Sequence, residues 1–147
     1  MRYELAQLNV ARLAAPLYTP RLKDFVANLD PVNAMAEAAP GFVWRLQGEA
    51  GDATALRPWE PDLIVNMSVW ASIQALHDFT YGSGHSAILR RRREWFIPMD
   101  TPLLVLWWTP VGHRPTLDEA RERLDLLTAN GSSPAAFTLR ASFPAPE

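Results

Sequence analysis

Residues 3–12, YELAQLNVAR, alternate in character. Glu4, Ala6, Leu8 and Val10 share one side of an extended chain, and Tyr3, Leu5, Gln7 and Asn9 share the other. The pattern predicts a strand that presents two amide side chains, Gln7 and Asn9, on one face. After the turn-like APLYTP, Thr19 offers an N-cap and Pro20 a first helical position; Leu22, Phe25, Val26 and Leu29 follow at helical spacing. Pro31 lacks a backbone donor, so this helix should end or kink near Asp30, with VNAMAEAA continuing as a second short helical segment. Gly41 then releases the chain into a strand, GFVWRLQG.

The stretch EAGDATALRPWEPD reads as a long loop. DLIVNMSVWA resumes as a strand suited to burial on both faces, with Asn66, Ser68 and Trp70 in one phase. Ser72 is placed to cap a helix, ASIQALHDFTY, whose stripe carries Ile73, Leu76, His77 and Thr80, and His77 is expected in the core. PLLVLWWTP is a further strand, and its adjacent Trp107 and Trp108 must point to opposite faces. In TLDEARERLDLLTANG, Thr116 and Glu119 form a capping box, Leu117, Ala120, Leu124 and Leu127 line one side, and Asn130-Gly131 closes the helix. AFTLRASF alternates as a last strand.

Four core strands with two intervening helices in this order describe a split β-α-β unit. The fold class is therefore α+β, a single ferredoxin-like domain over residues 1–147 with an added C-terminal helix and strand. Helices on one face of such a sheet leave the other face open. An open apolar face calls for a partner, and a homodimer through it is the expectation.

The run GSGHSAILRRRREWF, residues 82–96, holds four consecutive arginines. On a helix turning about 100° per residue they fan around most of the cylinder and form no basic stripe. His85, Ile88, Leu89, Arg92 and Phe96 fall on one side; Arg90 and Glu94 are spaced for an exposed pair, and Arg91 and Arg93 read as solvated. An inward guanidinium needs an anionic partner, so Arg92 is either a structural ion pair or a ligand contact. His85 is either a pocket residue or a satisfied structural histidine.

Charge narrows the function classes. The 147-residue chain carries a net charge of −2, which argues against a nucleic-acid partner. It contains no cysteine, consistent with a reducing cytoplasm and without thiolate metal chemistry. Its three histidines lack the spacing of a helical zinc site, so no metal is expected. Neither a signal peptide nor a membrane span is expected from the hydrophobic runs.

LAQLNVARL, PGFVWRLQ, VNMSVWASIQALHDFTYGSGH, ILRRRREWF and LWWTPVGHRPTLDEA together resemble a bacterial family catalogued as a domain of unknown function. That family is grouped with the dimeric α/β-barrel superfamily of the antibiotic-biosynthesis monooxygenases and lies near spheroidene-monooxygenase-like proteins. The resemblance implies a pocket between sheet and helices for a small apolar, aromatic or isoprenoid molecule, or for haem. Under it, His85 and Asn9 are the candidate catalytic residues, with His85 as base or haem ligand. Gln7, Asn66, Trp70, Tyr81 and Arg92 are the candidate ligand-binding residues. The haem-degrading members' set of Asn, Trp and His is not reproduced, since Phe79 stands where the Trp would be and His85 falls short of the His position. Two function classes follow: a monooxygenase-like enzyme, or a non-catalytic homodimeric ligand-binding or stress-related module.

Overall fold

Strand β1 (Tyr3–Leu13) is the centre of the sheet. In the computed structural model, which describes residues 1–48, 51–82 and 90–147, it is flanked on both edges. On one edge it pairs with β3 (Leu63–Trp70), with Gln7 opposite Ser68 and Asn9 opposite Asn66. On the other it pairs with β5 (Leu104–Pro110) and, at its end, with the two-residue β4 (Phe96–Ile97). Strand β2 (Phe42–Arg45) adds to the outer edge of β3 through a register irregularity between Phe42 and Trp44. All pairings are antiparallel, and the order β2-β3-β1-β5 is that of a ferredoxin-like sheet.

The period-two alternation divides the core between two faces. Gln7, Ile64, Trp70 and Leu106 lie on the face covered by α1 (Lys23–Ala38) and α2 (Ile73–Tyr81). Ser72 caps α2 as its position predicts, accepting a hydrogen bond from the Ala75 amide at 3.1 Å. Helix α1 runs unbroken through Pro31, contrary to the expected break. Pro31 and Ala27, whose carbonyl loses its partner, are both exposed, so water can take the missing bond.

The opposite face is not open, which corrects the expected basis for a homodimer. Helix α4 (Leu117–Asn130) lays Ala120, Leu124 and Leu127 over Ala6, Leu8, Val105 and Trp107, and Leu46, Leu56 and Trp59 pack on the same cluster. Ala6, Leu8, Met67, Val69, Val105 and Trp107 are all 1 % exposed or less within one chain. The docking of α4 is fixed by a polar pin: Glu119 accepts from the Trp107 indole at 2.9 Å and meets His113 Nε2 at 2.7 Å. Thr116 caps α4 through the Glu119 amide, as the capping-box spacing requires.

The expected last strand is reduced to two isolated bridges, Leu106 with Phe137 and Ser133 with Ala136. Pro134 supplies no amide, and the Ser133–Ala136 turn leaves little extended chain before the Pro-rich end. Phe137 is nevertheless fully buried, and Trp108 reaches past it to donate to the Phe143 carbonyl.

Gly41 joins α1 to β2 with φ of +84°, and a Cβ there would stand 2.6 Å from the Ala75 Cβ. Gly112 has φ of +91° but open space around it. Gly41→Ala should therefore cost about 2–3 kcal/mol in denaturant unfolding, against about 1 kcal/mol for Gly112→Ala. Equal losses would show that contact with α2 is not what excludes a side chain at residue 41.

Candidate functional site

A cavity of about 280 Å³ lies between α1, α2 and the sheet face that carries Gln7. Its roof is the inward stripe of α1: Phe25, Asn28, Leu29, Val32, Asn33 and Ala36 recur at helical spacing. Of these only Ala36 is buried, because the others border space rather than packed atoms. One end is aromatic. There Trp70 stacks on Phe79 at 5.2 Å between ring centroids and meets Phe42 edge-on at 5.5 Å. The other end is formed by Phe25, Trp95 and Phe96, with Arg92 beside them.

The floor carries the polar chemistry. Gln7, 5 % exposed, donates through Nε2 to Asn66 Oδ1 and to Ser68 Oγ, both at 2.8 Å. Ser68 Oγ accepts a second bond from the Trp70 indole, also at 2.8 Å. Among the described residues no buried side-chain nitrogen or oxygen lacks a partner, so Gln7 Oε1, which accepts no bond, opens onto the cavity. The Asn66 amide nitrogen and the whole Asn9 amide are likewise unbonded, and both residues line the space. The result is a strip of hydrogen-bonding groups set in an apolar chamber.

Charged groups at the rim differ in what holds them. Arg45 is tied to Glu37 at 2.9 Å and to the Gly51 carbonyl at 2.7 Å, and Asp52 accepts from the Thr54 amide and hydroxyl. Helix α3 is only four residues, Arg92–Trp95. Just before it, Arg91 bonds Glu94 and Asp24, each at 2.8 Å, and its guanidinium lies 5.0 Å from the Trp95 ring centroid. Glu94 therefore pairs with Arg91 and not with Arg90, since the backbone at Arg90 is a turn that gives no helical spacing. Arg92 is exposed at the cavity edge, and its side chain makes no hydrogen bond or ion pair among the described residues.

Five of the residues expected at a site, Gln7, Asn9, Asn66, Trp70 and Arg92, line this one cavity. Tyr81 does not; it is 59 % exposed and packs at a tilt against the His77 ring, 4.9 Å between centroids. His77 is itself exposed, not core, because α2 turns that side to solvent. His85, Ile88 and Leu89 lie outside the described residues. Sequence reasoning put Ser68 in phase with Asn66 and Trp70 without counting it as a site residue, and did not single out Asn28 or Asn33. Their signal was present as polar positions in the buried phase of β3 and on the apolar stripe of α1.

Because Ser68 Oγ is the common acceptor for Gln7 and Trp70, Ser68→Ala should strand two buried donors. Unfolding free energy should fall by about 2–3 kcal/mol in urea titration; a neutral substitution would mean that the network carries no stability. Hydrogen bonding from Arg91 holds the Glu94 carboxyl below its ordinary 4.5. A depressed carboxyl contributes stability above its unfolded pKa, which is lost as pH falls through the folded one. NMR titration should place the Glu94 midpoint below 4.5 and return it towards that value in Arg91→Gln.

A family model described as a domain of unknown function, DUF3291, matches residues 4–147. No curated protein matches. Among solved structures, PA3566 from Pseudomonas aeruginosa is 12% identical with a TM-score of 0.51, covering 79% of this chain and 98% of that one. NE2512, a protein of unknown function from Nitrosomonas europaea, is 15% identical with a TM-score of 0.49, covering 78% and 96%. SnoaB from Streptomyces nogalater, described as a cofactor-independent oxygenase, is 18% identical with a TM-score of 0.47, covering 78% and 96%. At such identities the likeness speaks to the fold alone.

Proposed function

The chain belongs to the DUF3291 family, whose description states no activity, and from the cavity we propose that it binds a small aromatic or isoprenoid molecule bearing hydrogen-bonding groups. The observation that carries this reading is the open Gln7 Oε1 beside the unbonded amides of Asn9 and Asn66, within walls of Leu29, Val32, Phe79 and Trp95. Binding sites of this kind are mostly apolar, with a few convergent polar groups that fix orientation. Size agrees: an engineered cavity of about 150 Å³ holds benzene, so roughly twice that volume suits a fused two-ring molecule.

Haem fits this chamber poorly. Among the described lining residues there is no histidine, cysteine, methionine or tyrosine to ligate iron, and a tetrapyrrole is much larger than two rings. His85, the axial ligand suggested by the resemblance, lies outside the described residues. Oxidation of the bound molecule is the enzymatic form of the proposal, with Asn9 holding substrate or oxygen; simple binding is the other form. A homodimer belongs to the reading on the family resemblance, with its contact outside the sheet face that α4 already covers.

Trp70 and Trp95 border the cavity, so occupancy should quench tryptophan fluorescence. Titration with 1-naphthol should give saturable quenching at one molecule per chain. Leu29→Trp, which fills the chamber from α1, should abolish it while leaving the circular dichroism spectrum unchanged. Saturable binding that survives this substitution, or none in the parent protein, would defeat the proposal. Oxygen uptake in the same titration separates an enzyme from a binder.

A further inference from the structure

The arginine run acquires a purpose once its members are sorted by partner. Arg91 is neutralised twice, by Asp24 and Glu94. Arg92 borders the cavity, Arg90 and Arg93 are exposed, and none of the three has an ion pair among the described residues. The carboxylates beside the Arg92 end are committed elsewhere, Asp24 and Glu94 both to Arg91; at the Arg45 rim Glu37 is paired with that arginine, while Asp52 accepts from Thr54 and keeps its charge. One end of the chamber is therefore positive, although the chain as a whole carries a net charge of −2. Arg21 adds to that end by donating to the Glu94 carbonyl at 2.9 Å.

Resting on the reading of the cavity as a ligand site, we propose that its ligand is an amphipathic acid whose carboxylate is held by Arg92 while its rings lie against Trp95, Phe25 and Leu29. A guanidinium presents paired donors that match a carboxylate's two oxygens. The distance is suitable as well. From Gln7 to Ala11, which shares the Arg92 end, β1 advances four residues, or about 13 Å. A fused-ring acid can thus place its carboxylate at Arg92 and direct a second polar substituent towards the Gln7–Asn66–Ser68 strip. The unpaired arginines beside it would draw anions to the mouth, an effect that salt weakens.

The test uses two probes with the same rings, 2-naphthoic acid and 2-naphthamide, titrated by tryptophan fluorescence. The parent protein should bind the acid about fivefold more tightly than the amide, and the preference should shrink with added sodium chloride. Arg92→Gln should erase the preference by weakening the acid alone, whereas Arg93→Gln should preserve most of it. Equal binding of both probes by the parent, or equal weakening of both by Arg92→Gln, overturns the acid proposal and leaves the ligand-site reading standing. Failure of both probes to bind overturns both.

Discussion

A central strand with buried side chains on both faces must be covered twice, and β1 imposes that requirement on the whole chain. Its edges are satisfied by β3 on one side and by β5 and β4 on the other. Its faces make different demands. Ala6, Leu8 and Val10 are wholly apolar and are sealed by side chains from α4 and the 51–62 segment. Leu5, Gln7, Asn9 and Ala11 are mixed, and a layer packed directly on them would have to satisfy two amides. Helix α1 instead stands away from the middle of that face, and the gap is the cavity.

The polar strip is compatible with folding because it is partly self-satisfied. Gln7 lies directly across from Ser68, and a diagonal bond to Asn66 extends the network along the same face. Two buried donors, one from Gln7 and one from Trp70, converge on a single hydroxyl. This geometry spends the donors of Gln7 and leaves its acceptor facing the space. The bonds that hold the strip in place thereby set the hydrogen-bonding character that a ligand meets, and rigidity and specificity come from the same atoms.

Alternation made much of this legible before any coordinates. The phases of β1 and β3 placed Gln7, Asn9, Asn66 and Trp70 on one face, and the opposed directions of Trp107 and Trp108 are observed, with their indoles bonded to Glu119 and to the Phe143 carbonyl. What escaped was long-range. That α4 folds back over the second face depends on the route of the chain between Pro110 and Thr116, which periodicity does not encode. His77 illustrates another limit: a nine-residue helix offers too few turns to identify its buried stripe when Leu76 alone is fully enclosed. The standing-off of α1 was also hidden, since an apolar stripe looks the same over a packed sheet and over a void. Asn33 was the clue, as an amide on such a stripe needs a partner, whereas Asn28 donates to the Asp24 carbonyl one turn back at 2.7 Å.

The arginine run shows how local geometry can reverse a charge argument. Spread over one long helix, four arginines would point in four directions and none would be special. Among the described residues of the run, Arg92–Trp95 is helical, and Arg91 sits in the turn before it, where it can bond Asp24 on α1 and Glu94 three residues on. Those bonds also bring its guanidinium onto Trp95, whose ring borders the cavity. Arg91 thus fixes the wall, and with both nearby carboxylates consumed, its neighbour Arg92 is left charged at the rim. Pairing one arginine is what leaves the next one available.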